Sequence, residues 1–333
     1  MTLEQLQEQL SGMSIPSYRA GQIFEWLHRR GASTFEGMDN LPKILRATLE
    51  AQFCLTSCRL AETRVSEKDG TYKFLFALQD GVFIESVRME YSFGSSICIS
   101  TQAGCRMGCR FCASAAKGLI RNLTAGEMCA QVYAARSSGK LGGIVLMGCG
   151  EPLDNFEQTV RFLKLIGHPK GAGVGARHIT ISTCGLVPQI KELAALKLQV
   201  NLAVSLHGPN DEIRKSLMPI AKRYSVETLM EACRYYINKT NRRITFEYAL
   251  VKGLNDSMND AQSLSELLSG MLCHINLIPV NPGAGLYLPT RRPEAEAFAA
   301  VLRRNHIQTT IRRTIGSDVD AACGQLLAKR GEA

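Results

Sequence analysis

Three cysteines, Cys105, Cys109 and Cys112, stand as Cys-x3-Cys-x2-Cys within the short stretch GCRMGCRFC. Three thiolates this close can each hold one iron of a cubane cluster, whereas structural zinc wants four ligands, usually as two separated pairs. No second Cys-x2-Cys follows, so a four-iron cluster on these ligands keeps one iron open to an outside ligand, the mark of a catalytic metal. The alternatives are zinc completed by a distant residue such as His207 or Cys98, or three unligated thiols. Gly104 and Gly108 let the backbone fold around a bulky group.

Four further stretches carry unusual residue combinations: GCGEP at residues 148–152, STCG at 182–185, SLHGPND at 205–211 and NPGAG at 281–285. Near the end, DVDAACGQL places Cys323 beside Gly324, a position open between loop packing and reactivity. The chain holds 12 cysteines. Cys54, Cys58, Cys129, Cys149, Cys184, Cys233 and Cys273 sit among apolar neighbours and read as small core hydrophobes. By the same reading Cys98 belongs to a core strand, and Glu85, alone in VFIESVR, is an outward-facing charge on a hairpin strand.

Positioning these residues is the work of an alternating pattern. Strands are predicted at 97–101, 143–147, 179–183, 200–206, 244–251 and 275–280, and helices at 125–137, 156–166, 188–195, 226–237, 258–268 and 294–304. Thr124 with Glu127 makes a capping box for the first of those helices. Six strand–helix units imply parallel strands with right-handed crossovers, an α/β fold better closed as a partial (β/α)6 barrel than as an eight-unit one. In such barrels chemistry collects on loops after the strands' C-terminal ends, where the five motif loops fall.

Before the barrel, residues 1–58 read as a helical accessory unit. Tyr18 to Arg30 places Ile23, Trp26 and Leu27 on one face and ends at the C-cap glycine Gly31; Leu45 and Leu49 face inward from a second helix with Lys43 and Arg46 outside. Residues 59–94 read as a connecting β-hairpin, Tyr72–Leu78 and Val82–Val87, turned by Gln79, Asp80 and Gly81. Residues 95–285 form the barrel core, and 286–333 a C-terminal helix, strand and loop carrying Cys323.

Lysine plus arginine total 39 against 30 acids, a net charge of +9, which favours a polyanionic partner. MTLEQLQEQL lacks a basic leader and an apolar h-region, and no apolar run approaches the roughly 18 residues of a membrane span, so a soluble cytoplasmic protein without membrane contact is expected.

Cys105-Arg-Met-Gly-Cys109-Arg-Phe-Cys112 after the first barrel strand, with Phe111 before the third cysteine, resembles the radical S-adenosylmethionine (SAM) superfamily. SICISTQAGCRMGCRFCASAAKGLIRNLTAGE, GEPLDN, SLHGPNDEIR, INLIPVNP and DVDAACGQL are similar to the RlmN branch of adenosine C2 methyltransferases over nearly the whole chain. The resemblance implies a 4Fe–4S cluster on Cys105, Cys109 and Cys112, and two SAM per turnover, bound by Gly150, Glu151, Ser182, Ser205, Leu206, His207 and Asn281. It implies that Cys323 is first methylated and then delivers its carbon to the adenine ring. Cys98 would close a transient disulfide with Cys323 to release product, and Glu85 would take the ring proton. Adenine C2 is neither acidic nor nucleophilic, so radical addition accounts for the apparatus. The implied substrate is an adenosine of 23S rRNA in the peptidyl-transferase region, with a tRNA adenosine beside the anticodon as a second target in some members.

An electron donor such as flavodoxin and a monomeric chain belong to the same expectation. Arg19, Arg29, Arg30, Lys43 and Arg46 on the N-terminal helices, and Lys117 and Arg121 after the cysteine loop, are the candidate RNA contacts. Two departures stand out: Cys149 replaces the Met more often found before Gly-Glu-Pro, and Gly283 to Pro289 differs from the commoner proline-rich version. Methylation at C8 of the same adenine is the nearest rival, and Pro152-Leu153 favours C2. A non-catalytic iron–sulfur RNA-binding protein, or a zinc-binding ribosome factor, is the rival of a different class.

Overall fold

The computed structural model describes residues 1–55, 58–92, 94–281, 287–321 and 325–326. Cys323 and the 282–286 stretch of the NPGAG loop lie outside the described residues.

The N-terminal segment folds into α1 (Leu3–Gly12), α2 (Tyr18–Glu25) and α3 (Lys43–Gln52). Beyond α2 the chain continues as a π-helical turn, Trp26–Arg30, and stops at Gly31, whose φ of 69° is the left-handed conformation glycine adopts without steric cost. Ile23 and Phe24 of α2, Leu6 and Leu10 of α1 and Leu49 of α3 are buried, and they join the barrel side chains in one contiguous apolar cluster. The helices are therefore plastered onto the barrel rather than folded round a core of their own.

A ten-stranded sheet follows. It begins antiparallel: β1 (Cys58–Val65), β2 (Tyr72–Leu78), β3 (Phe83–Tyr91) and β4 (Gly94–Cys98). The turn between β2 and β3 uses Asp80, whose carboxylate accepts from the Val82 N–H at 3.1 Å, and Gly81 at φ 81°. The 59–94 segment expected as a separate connector has three strands, and β3 pairs with β4, so it extends the barrel wall. β1 gave little warning because most of its side chains are exposed and its residues, CRLAETRV, lack a buried face.

From β4 onward the ladder is parallel, through β7 (Gly143–Leu146), β8 (Ile179–Thr183), β9 (Asn201–Ser205), β10 (Ile244–Leu250), β11 (Cys273–Pro279) and β12 (Gln308–Ile311). Five of the six expected strands lie near their expected bounds; the first runs at Gly94–Cys98 and overlaps the expected 97–101 only at its end, and β12, short and half exposed, adds a seventh parallel strand. The helices α4 (Ala125–Ser137), α5 (Phe156–Gly167), α6 (Val187–Ala195), α7 (Asp211–Leu217), α8 (Val226–Thr240), α9 (Met258–Leu268) and α10 (Arg292–Arg304) lie between strands in sequence. α4 begins at the expected capping box: Thr124 Oγ1 accepts from the Glu127 N–H at 3.2 Å and Glu127 Oε2 accepts from the Thr124 N–H at 2.8 Å. Strands buried on both faces carry continuous apolar runs such as Leu202-Ala203-Val204, as parallel sheets require. β1 and β12 are the two margins of the sheet and do not pair, so the barrel stays open.

A small second ribbon, β5 (Gln102–Gly104) with antiparallel β6 (Leu119–Asn122), brackets the cysteine loop. Among the described residues no helix is long and apolar enough to cross a membrane.

Candidate active site

The ribbon determines where the cysteines sit. It ties residue 104 to residue 119, so Cys105, Cys109 and Cys112 ride on a loop closed at its base, and the Cys105 N–H donates to Gly118 O at 2.9 Å. Gly104 has φ 74°, and a Cβ there would lie 1.9 Å from Gly118 O, so only glycine fits. Gln102 locks this base to the next loop: its Oε1 accepts from the Glu151 N–H, and its Nε2 donates to Asn122 and to Asp154, each at 2.8 Å. Asn155 of GEPLDN donates to Thr101 O and Leu123 O, bracing the ribbon from behind. Arg106 forms an ion pair with Asp154 on the rim.

One cavity opens at the C-terminal ends of the parallel strands. The cysteine loop supplies Cys105, Cys109, Cys112 and Phe111 to its wall; the strand ends supply Gly150, Glu151, Ser182, Ser205, His207 and Asn281. From the antiparallel side come Val87 and Met89 of β3 and Cys98 of β4, and from the tail Ala321 and Leu326. Gly150, at φ 105°, rests on Gln102, whose Cβ would be 2.5 Å from an added Cβ. Leu206, between Ser205 and His207, is fully buried and turned into the core, so its side chain is no part of this wall.

Burial decides the electrostatics. Removal from water pushes the Cys105 thiol up to about 12, and Cys112, Glu151 and Cys149 add to the shift; Cys109 is raised by burial and by its two partner thiols. Glu151 is 4% exposed and raised by desolvation, although its oxygens accept from the N–H groups of Leu153 and Cys184, at 3.0 and 2.7 Å. This anionic donor set disfavours its own ionisation until a cation arrives, which suits thiolate ligands of an iron–sulfur cluster and a carboxylate that meets an ammonium group. Among the described residues no three His, Cys, Asp or Glu groups converge on one ion. A cubane, taking one thiolate per iron, does not need such convergence. The residues fit a cluster with an open iron and a SAM molecule beside it.

His207 sits at φ 56°, unusual for a side chain with Cβ, and is held there by its neighbours. Its Nδ1 accepts from the Ala249 N–H at 2.9 Å, Asn255 Nδ2 donates to its carbonyl, and Phe111 meets its ring edge-on at 4.8 Å. Burial, aided by the Arg214 charge, lowers its pKa to about 3, so the ring is neutral at physiological pH.

Glu85 departs from the outward position that strand alternation suggested. It is 5% exposed, shares the face of β3 that carries Val87 and Met89, and pairs with Lys73 at 2.9 Å. It does not itself line the cavity. Of the cysteines read as core, Cys129, Cys184 and Cys233 are buried, but Cys54 is exposed, and Cys184 lines the cavity because it ends β8. Arg121, expected to face RNA, is instead bound to Asp80 and Glu127, and Arg46 is bonded to Glu36 O. Three groups went unnoticed in the sequence. Arg214 of α7 is wholly buried and donates to Cys184 O at 2.6 Å; Glu247 of β10 lines the cavity and accepts from Asn276; Arg312 lines the cavity as well. The signal for Glu247 was a lone acid in the apolar strand ITFEYAL, in register with Ser205.

The Radical SAM superfamily model matches residues 99–263, and the Ribosomal RNA large subunit methyltransferase N-terminal domain model matches residues 1–55. A probable dual-specificity RNA methyltransferase RlmN of Clostridium novyi is 51% identical, covering 98% of this chain and 96% of its own length. A relative of the same description from Alkaliphilus oremlandii is 49% identical, covering 99% and 96%. The crystal structure of a radical SAM methyltransferase from Sphaerobacter thermophilus superposes with a TM-score of 0.95 at 46% identity, covering 98% of this chain and 97% of that one.

Proposed function

The chain belongs to the RlmN family of radical SAM methyltransferases, and from that membership we propose that it methylates C2 of adenosine 2503 in 23S rRNA and of adenosine 37 in tRNA, with Cys323 as the carbon carrier. The observation that carries the role of Cys323 is the company in one cavity: the triad, the SAM-loop residues and Cys98 share it with Ala321 and Leu326, which flank Cys323 in sequence. Val87, Met89, Cys98, Ala321 and Leu326 also pack as one apolar cluster.

When bound, the cluster and SAM supply an electron, a transferable methyl group and a hydrogen-abstracting carbon radical. The chain supplies everything else. Cys105, Cys109 and Cys112 hold the irons; Glu151 takes the SAM ammonium group, and Ser182, Ser205, His207 and Asn281 surround its remaining polar groups. Neutral His207 cannot repel a sulfonium. The Cys323 thiolate accepts the first methyl group, displacing S-adenosylhomocysteine. Glu85, kept beside Lys73 on the strand face whose Val87 and Met89 line the cavity, would reach the base to take the ring proton. The Cys98 thiolate would attack the Cys323 sulfur, forming the S–S bond as the S–CH2 bond to the base breaks, and the carbon that keeps the electron pair takes up a proton to become the methyl group. A low-potential one-electron donor of the flavodoxin type serves a monomeric enzyme in the cytoplasm.

The test is mass spectrometry of rRNA and tRNA from cells with and without the gene, joined to the mass of the Cys323 peptide. Gene-dependent 2-methyladenosine and a methylated Cys323 are expected. 8-Methyladenosine would transfer the chain to the resistance branch, and an unmodified thiol in active enzyme would overturn the carrier role.

A further inference from the structure

Two hundred and fifty residues apart in sequence, the turn joining β1 to β2 and the root of the C-terminal tail are interlocked. In the turn, Ser66 is 3% exposed and Thr71 fully buried; the Ser66 N–H donates to Thr71 O at 2.7 Å, and Ser66 Oγ accepts from the N–H groups of Lys68 and Asp69. This Asx- and Ser-built turn leaves one carboxylate oxygen of Asp69 pointing away, and it accepts from the Gly316 N–H at 2.8 Å. Asp318 returns the gesture: one oxygen accepts from Ser66 Oγ at 2.7 Å, the other from the Glu67 N–H at 3.1 Å. Lys73 adds a third tie, donating to Asp320 O at 3.1 Å with the same ammonium that pairs with Glu85. Gly316 is seated so closely that an added Cβ would be 2.8 Å from Ala321 Cβ and 3.0 Å from Thr71 Cγ2.

Beyond this root, Ser114 Oγ donates to Leu326 O at 2.9 Å, two residues after Cys112 on the cysteine loop. Asp320 is thus held from the hairpin and Leu326 from the cysteine loop, and Ala321, Leu326 and Ser114 line the cavity.

We infer that the β1–β2 turn is a clasp for the tail, and that Ser66, Asp69, Asp318 and Lys73 are positioning residues that hold Cys323 at the reaction cavity. The inference rests on the reading of Cys323 as methyl acceptor. Lys73 would also make the base and the carrier thiol move as a unit, because one ammonium group bonds both Glu85 and the tail backbone. Short tethers matter here because methyl transfer to a thiolate needs an in-line approach to the sulfonium carbon, and a displacement of about 1 Å can cost as much as a hundredfold in rate.

Asp318→Ala removes two acceptors from an exposed side chain, and Ser66→Ala removes the hydroxyl on the other side. In the reconstituted holoenzyme with SAM and reductant but without RNA, both variants should methylate Cys323 roughly tenfold more slowly, read by peptide mass. Iron content and the SAM-induced change in the reduced-cluster EPR signal should stay as in wild type, and Asp318→Asn, which keeps one acceptor, should recover some of the rate. Amide exchange in residues 66–71 and 316–321 should accelerate in both alanine variants. Wild-type methylation rates, or unchanged exchange in these segments, would overturn the clasp. A wild-type Cys323 that never gains a methyl group would sink the carrier reading instead, while the exchange data would still decide whether the clasp exists.

Discussion

His28 illustrates how a single buried side chain sets a pH limit. It packs against Phe24, with ring centroids 4.5 Å apart, and its Nδ1 lies 2.7 Å from the Tyr133 hydroxyl on α4, at the contact between the N-terminal helices and the barrel. Desolvation lowers its pKa from 6.5 to about 4, and that of His207 to about 3. Between these values and 6.5 the unfolded chain binds protons that the folded chain excludes, so stability rises with pH across this window and is lost as pH falls from about 6.5 toward 4. For His28 the loss is about 3 kcal/mol at full extent. The thermal midpoint should therefore fall over this range, and His28→Gln, which keeps an acceptor for Tyr133, should flatten the decline. An unaltered slope in that variant would show that protonation occurs elsewhere. His28 drew no attention in the sequence because a histidine in the basic run HRR reads as surface; only the tertiary contact with α4 buries it.

The β5–β6 ribbon is the element on which iron retention depends. Gly104→Ala should cost the loop its base, since the new Cβ meets a backbone carbonyl and the positive φ adds about 1–3 kcal/mol of strain. The expected result is loss of iron and sulfide on reconstitution with near-native far-UV dichroism, because the parallel ladder does not pass through this ribbon. Full iron content in the variant would contradict it. Legibility in the sequence followed periodicity. The strand at Ile179–Thr183 and the helices α4 and α9 fall where the apolar pattern and caps put them, whereas β1, α7 and the ribbon are short, exposed or dictated by remote partners. The cysteine triad and Glu151, which line the cavity, stand in motifs that are local in sequence. Glu85 was not readable from alternation, because alternation cannot tell which face of β3 the barrel will cover.

At the scale of the whole molecule, charge and enclosure act together. The net charge of +9 makes RNA affinity salt-dependent: about six phosphate contacts would lose roughly a thousandfold between about 50 and 200 mM salt. Arg29 and Lys43 are exposed on the helical unit, and charge reversal of both should reduce the steepness of a log–log salt titration of binding while leaving cluster spectra unchanged. An unchanged slope would move the RNA footprint to another face. The enclosure has an uneven strength. The strand ladders give way only as cooperative blocks, whereas the turn after the margin strand β1 is joined to the segment after the margin strand β12 by separate polar bonds, from Ser66, Glu67 and Asp69 to Asp318 and Gly316. Such a seam can loosen bond by bond while every ladder stays intact, so the grip of the hairpin on the tail is decoupled from the stability of the protein around it.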